Sequence, residues 1–469
     1  MSRPFALVHE LLDAAAVRHP TNPAVRDRDE RRDYAQLRRN SLAVAAWLAD
    51  AGVGPGGRVV CLLPARCHTV ELLFATVRLG AAFVPCAPRA TDYELRWLLD
   101  DAQPSLVVAP AAELPRLRRL TTAPVVAMPA RYAPVDIAAT PASRVRPDDP
   151  ALLLYTSGST ARPKAVVCPH AQVVFAATAI ADRLGYRPDD VVYLCLPLSF
   201  DYGLYQLLLC ALAGAELVLR DDRPDGSLLR DLRQTGTTVL PAVPTLIELL
   251  TWLATRDRAP TAVRLVTNTG AALTPAHAAR LRAALPDART VAMYGTTECK
   301  RITIAEPDEH LDRPGTAGRP LPGTRVVIVD DAGRELPPGE VGQIVAIGPH
   351  VMAGYWRAPE ATAERFRPAP DGSGTALYTG DFGHLDEAGR LYFAGRRDDL
   401  FKRRGVRVSV AEIEAAMLDI PGVRLAAVLP PAPDGRLVAW AASRLTARDI
   451  LAGIAERLGR AKVPDECLV

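Results

Sequence analysis

The chain has 469 residues, 49% of them hydrophobic and 23% charged, an ordinary soluble composition that can bury a large core in roughly two to four folding units. A net charge of +3, with arginines dispersed among acids, offers no electrostatic footprint for nucleic acid or a membrane surface. The first ten residues lack a basic segment followed by an apolar stretch, and no run approaches the roughly 20 apolar residues of a membrane span, so a cytoplasmic protein is expected.

Helix and strand periodicity alternate along the chain. Residues 34–51 have helical spacing, 58–63 read as a short apolar strand, 70–79 as a helix and 82–85 as a strand. The apolar run Ala151-Leu152-Leu153-Leu154 leads into a turn rich in hydroxyls. Residues 237–240, 263–267 and 290–293 continue as buried strands, each ending at a polar turn. This alternation predicts a layered α/β architecture with parallel-rich sheets, whose ligands sit at the carboxyl ends of strands. Residues 367–375, rich in Pro and Gly, read as a loop. Gly395-Arg396-Arg397-Asp398-Asp399 separates a strand-like stretch, 390–394, from a fresh unit with its own helix at 411–418. The expected division is a large N-terminal domain with several subdomains over 1–397 and a small α+β domain over 398–469. Eight cysteines form no C-x-x-C pair and eight histidines no H-E-x-x-H, which reads as reduced core thiols without zinc.

Four segments carry chemistry. In Tyr155-Thr156-Ser157-Gly158-Ser159-Thr160-Ala161-Arg162-Pro163-Lys164, four hydroxyls and the amides around Gly158 can wrap phosphate oxygens, and Lys164 adds a point charge. It is not a Walker loop, and by itself it is equally a Ser/Thr-rich surface turn. Only four of the 56 cationic residues are lysine (Lys164, Lys300, Lys402 and Lys462), and three of these lie in motif-like segments, where a compact ammonium is wanted. Asn268-Thr269-Gly270-Ala271-Ala272 offers small residues that let a planar base approach the backbone, or a plain strand-to-helix turn. In Met293-Tyr294-Gly295-Thr296-Thr297-Glu298, the glycine permits close approach, the tyrosine can stack on a base, the threonines can reach phosphate and Glu298 can hold Mg²⁺. Finally, Tyr378-Thr379-Gly380-Asp381 runs on to Lys402-Arg403-Arg404-Gly405.

In order and spacing these segments resemble the adenylate-forming superfamily of acyl-CoA synthetases, peptide-synthetase or stand-alone adenylation domains and luciferases, from about Tyr34 to Val469. The resemblance implies activation of a small carboxylic acid with ATP and Mg²⁺, then transfer of the acyl group to coenzyme A or a separate carrier protein. It implies a small C-terminal domain that moves about a hinge at Asp398. It assigns catalytic roles to Lys164, Thr297, Glu298 and Lys402, and nucleotide contacts to Thr156, Ser157, Gly158, Ser159, Thr160, Gly270, Ala271, Ala272, Tyr294, Gly295 and Thr296. It further implies that Asp381 accepts both ribose hydroxyls and that Arg396 touches the nucleotide. The sequence departs at Ala161 and Ala165, where the family usually has glycines, and in lacking the C-terminal lysine of a P-x-[ST]-x-x-G-K pattern. Lys462-Val463-Pro464 resembles the segment shortly upstream of that pattern, so the small domain reads as incomplete and Lys462 as a solvated surface lysine.

Pro197-Leu198-Ser199-Phe200-Asp201-Tyr202-Gly203 falls where the family's acid pocket begins. Asp201 is a candidate amine ligand and, equally, a helix N-cap for 205–212. Family spacing makes Tyr202, Tyr205, Thr267, Thr269, Met293, Arg301 and Ile302 pocket residues. Lys300 and Arg301 are expected at its edge or mouth, facing substrate, pyrophosphate, coenzyme A or solvent. Two rival functions are an adenylating enzyme with a non-thiol acceptor or an oxyanion such as nitrite, and a silent nucleotide-binding protein.

Overall fold

The structure, a computed structural model, describes residues 5–129, 145–156, 163–220, 225–270, 273–396, 400–403, 406–431, 436–458 and 460–469. Among these residues two large sheets dominate. The first runs, in spatial order, Val125–Val126, Leu106–Val108, Arg58–Cys61, Ala82–Pro85, Pro150–Thr156 and Lys164–Pro169, parallel except for the last strand. The second places Arg289–Tyr294, Leu265–Asn268, Val239–Ala242, Val191–Leu194, Glu216–Leu219 and Pro23–Arg26 side by side and parallel. Their sequences are nearly continuous apolar runs because both faces are covered by helices.

Helices Tyr34–Asp50, Cys67–Arg78, His170–Leu184 and Asp201–Ala213 fill the space between the two sheets, and a single core cluster takes residues from both. Helix Asp201–Ala213 is buried along nearly its whole length, as expected of a helix that is apolar all round.

A third, largely antiparallel sheet contains Arg325–Val329, Gly342–Ile347, Phe366–Pro368, Thr375–Leu385 and Leu391–Arg396. Residues 367–375, expected as loop, are thus partly a hairpin, with Arg367 opposite Ala376 and Pro368 opposite Thr375. Beyond residue 400, strand pair Leu400–Arg403 and Val406–Ser409, a three-stranded sheet and helices Val410–Leu418 and Ala447–Leu458 share a separate hydrophobic cluster.

The expected elements are found within a few residues. Lys462, expected to be a solvated surface lysine, is half-buried and ion-paired with Glu412 on helix Val410–Leu418. Ala165 lies in extended strand, paired with Tyr155 and free of positive φ, so its methyl strains nothing, whereas Ala161 is outside the described residues. Among the described residues no helix is long and apolar enough to cross a membrane.

Candidate active site

Parallel strands Val239–Ala242, Leu265–Asn268 and Arg289–Tyr294 end together, with Ala242 opposite Asn268 and Asn268 opposite Ala292. The loop that follows Tyr294 builds the site. It turns back on itself, Lys300 N–H donating to Thr296 O (2.7 Å) and Ile302 N–H to Tyr294 O (2.8 Å). Position 295 must then be glycine, because a Cβ there would stand 2.0 Å from Lys300 O. Lys300 itself adopts φ +65°, a region that side-chain-bearing residues rarely enter.

One end of this loop meets Asp381. Tyr294 donates its hydroxyl to Asp381 Oδ2 at 2.7 Å, and Arg396 Nε stands 3.6 Å from Oδ1. Thr379 Oγ1 accepts the Asp381 N–H (3.1 Å), and Arg365 donates to the Thr379 carbonyl. Burial raises the Asp381 carboxyl above its usual range, against the pull of Tyr294 and Arg396. The Tyr294 ring, expected to stack on a base, is buried beside Phe393 (5.7 Å between centroids), and its hydroxyl is the one held by Asp381.

The other end meets Lys164 and strand Lys164–Pro169. Tyr355 donates to Glu298 Oε1 at 2.5 Å, and Lys164 Nζ lies 5.6 Å from the Tyr355 ring centre. Lys164 opens strand Lys164–Pro169 opposite Thr156, whose Oγ1 donates to the Lys164 carbonyl (3.5 Å). Thr296 Oγ1 is buried without a hydrogen-bond partner, and Thr297, half-buried, turns its carbonyl to Lys300. Tyr355 was absent from the sequence candidates. The signal that could have found it is Gly354-Tyr355-Trp356, an aromatic pair in a chain only 6% aromatic.

Gly270 adopts φ +90° after strand Leu265–Asn268. Ser157, Gly158, Ser159, Thr160, Ala271, Ala272 and Asp398 lie outside the described residues, as does the side chain of Lys402, whose backbone is in strand Leu400–Arg403.

The residues expected to line the acid pocket are more buried and more charged than the sequence implies. Helix Asp201–Ala213 begins at Asp201, with Phe200 as its cap residue, and no side chain caps it. The capping role is therefore overturned. Asp201, 5% exposed, leaves Oδ2 without a hydrogen bond, and Arg301 Nη1 stands 3.5 Å from it. Lys300 and Arg301, expected at the edge, are 1% and 4% exposed. The Arg301 guanidinium lies over the Tyr202 ring at 4.7 Å, and Tyr202 donates to Thr267 O at 2.7 Å. Burial pushes the Tyr202 phenol up to about 12 and raises Tyr205 well above its usual value, so both stay neutral donors. The Tyr205 hydroxyl is buried without a partner. Thr269 is buried nearby in sequence, and Met293 joins the main core. Ile302 packs with Tyr294 and the third sheet, which makes it a core residue.

Comparison with known proteins gives the family. Residues 12–356 match the family described as AMP-binding enzyme. Sulfoacetate–CoA ligase of Cupriavidus necator is 32% identical over 98% of this chain and 94% of its own length. The structure of VinN with L-aspartate is 42% identical, with TM-score 0.74, over 82% of this chain and 98% of that one. ATP-bound MatB of Rhodopseudomonas palustris is 29% identical, with TM-score 0.87, over 99% of this chain and 94% of that one. Four other curated relatives are much longer, and the chain spans 5 to 33% of their length. With the match covering most of the sequence and the motifs converging on one loop, the chain belongs to the AMP-binding enzyme family.

Proposed function

We propose that this protein activates a small carboxylic acid with ATP. The carboxylate oxygen attacks the α-phosphorus, the bond to pyrophosphate breaks, and the acyl-adenylate passes its acyl group to the thiol of coenzyme A or of a separate carrier protein. The observation that carries this reading is the loop after Tyr294, which joins a buried ribose-type acceptor, Asp381, to a phosphate-side pair, Glu298 and Lys164. Such displacement depends on positioning and on charge placed where negative charge develops. The ATP held in the MatB structure supports the nucleotide.

Mg²⁺ fits the donors present. It is held by one or two carboxylates together with phosphate oxygens; Glu298 has one oxygen left beyond the Tyr355 bond, and Thr296, two residues earlier in the chain, has a buried hydroxyl without a hydrogen-bond partner. When bound, it neutralises phosphate charge. Lys164 would add an ammonium on the phosphate side, Asp381 would orient the ribose, and Arg396, largely exposed, would close over the nucleotide. The small domain from residue 398 on would rotate about Asp398 between the two half-reactions.

On the acid side Asp201 would pair a substrate ammonium. Its unpartnered buried oxygen supports this, as does the L-aspartate held by VinN. The eight free thiols, nearly all buried, suit a reducing cytoplasm. ATP–pyrophosphate exchange across amino, aryl and short acyl acids tests the reading. Exchange that depends on an acid is expected, with AMP and a thioester appearing once the thiol is added. Absence of exchange with every acid would overturn it.

A further inference from the structure

The acid pocket holds more positive charge than an acid with a single carboxylate can answer. Lys300 is one of only four lysines in the chain. Its ammonium donates to Thr297 O at 2.7 Å, meets Cys168 Sγ at 3.3 Å and lies 5.7 Å from the Tyr205 ring centre. Among the described residues no carboxylate is within ion-pair reach of it. Arg301 donates to Lys300 O at 2.6 Å and has Asp201 as its acidic neighbour, at 3.5 Å. One buried carboxylate therefore faces two buried cations. Burying a charge without a counter-ion is strongly unfavourable, and a lysine held at φ +65° is the kind of outlier that persists where a site requires it.

Once a substrate ammonium takes Asp201, Lys300 and Arg301 are left without an anion. A monocarboxylic amino acid leaves the filled pocket one positive charge in excess. A second carboxylate makes the charges of pocket and substrate cancel.

We propose that the acid is a short amino dicarboxylate, whose ammonium meets Asp201 and whose non-reacting carboxylate sits between Lys300 and Arg301. This rests on the adenylation reading and names its substrate class. The two cations supply a planar fork and a point charge, a combination suited to a carboxylate. The buried Tyr205 hydroxyl, without a partner, is available as a neutral donor to the same group.

The test is ATP–pyrophosphate exchange by the unmodified protein with L-aspartate against L-asparagine and L-glutamate against L-glutamine, each pair differing in the charge of one group. At least one diacid should exceed its amide in kcat/KM by about 100-fold or more, since a site built around a polar partner rejects the analogue that lacks it. Lys300→Met should lower exchange with that diacid at least about tenfold more than exchange with its amide. Equal use of acid and amide would overturn the proposal, as would equal loss of both in Lys300→Met, which would assign Lys300 to pyrophosphate or to the fold. Because Lys300 is buried and its variant can fail to fold, the discrimination by the unmodified protein decides by itself. Exchange with monocarboxylic amino acids but with neither diacid sinks this inference and leaves adenylation standing. Exchange with no acid sinks both.

Discussion

Tyr355 donates its hydroxyl to Glu298 Oε1 at 2.5 Å while Lys164 stands over the same ring at 5.6 Å, so one aromatic side chain links the Glu298 carboxylate and the Lys164 ammonium. Burial, and then the Glu298 charge, raises the phenol far above its usual value, keeping it a donor. Tyr355→Phe removes one charge-assisted hydrogen bond and leaves the ring packed on Phe366. Exchange should fall about 10- to 100-fold with the melting temperature little changed. Activity at the unmodified level would mean that Glu298 needs no positioning from Tyr355.

Asp381 should be essential for nucleotide use. Asp381→Ala removes the acceptor that Tyr294 and Arg396 hold in place, and exchange should drop about 100-fold or more without unfolding. Because burial raises this carboxyl above 3.8, its anion is lost on acidification earlier than that of an ordinary aspartate. ATP affinity measured against pH should weaken correspondingly early on the acid side. Normal ATP turnover by the alanine variant would refute the adenylation reading.

Asp201→Asn separates an amine ligand from a structural residue. The helix is not capped by this side chain, so little stability should be lost. If the carboxylate pairs a desolvated ammonium, stranding that charge costs about 3 to 5 kcal/mol. Exchange with an amine-bearing acid should then fall far more than exchange with its deamino analogue, for example L-aspartate against succinate. Equal effects would leave Asp201 without a role in amine recognition.

Asp398→Pro tests the hinge. Proline fixes φ and removes a backbone donor, so rotation about this position should be blocked while the first half-reaction continues. Exchange should persist and thioester formation should slow by at least about tenfold. Equal loss of both steps would count against a hinge there.

Stability should decline in acid through His170. Its Nδ1 accepts the Val8 N–H at 3.0 Å, its ring is fully buried, and burial pushes its pKa down to about 4, against the opposing charge of Asp149. The unfolded chain, with a histidine near 6.5, binds the proton more readily. The contribution is therefore complete above about 6.5 and lost as pH falls towards 4, on the order of 3 kcal/mol. Buried His9, lowered to about 3, adds in the same direction. In His170→Leu, urea unfolding measured between pH 6.5 and 4 should show a shallower pH dependence. An unchanged slope would exclude His170 as the source.

Much of the scaffold was legible because its signals are local. Hydrophobic period and turn residues predicted a helix at 34–51 and a strand at 82–85, and the structure has Tyr34–Asp50 and Ala82–Pro85. Glycine at 295 was read as permitting close approach, and the clash of a Cβ with Lys300 O gives the reason. Where local signals compete they mislead: 367–375, rich in Pro and Gly, still forms part of a hairpin because a partner strand supplies the hydrogen bonds.

The composition, the order of helices and strands and the chemistry of each motif follow from the sequence, since they depend on neighbours along the chain and on residue type. Burial and partnership do not. Asp201 could be a cap until the helix was found to begin at that residue, with one buried oxygen left without a hydrogen bond. Lys300 and Arg301 could lie at an edge until the fold-back at Gly295 carried them inside. Tyr355 had no role until folding brought it to Glu298 and Lys164. These are relations between segments far apart in the chain, and only the packing of sheets and helices sets which charges are removed from water and what is left to neutralise them.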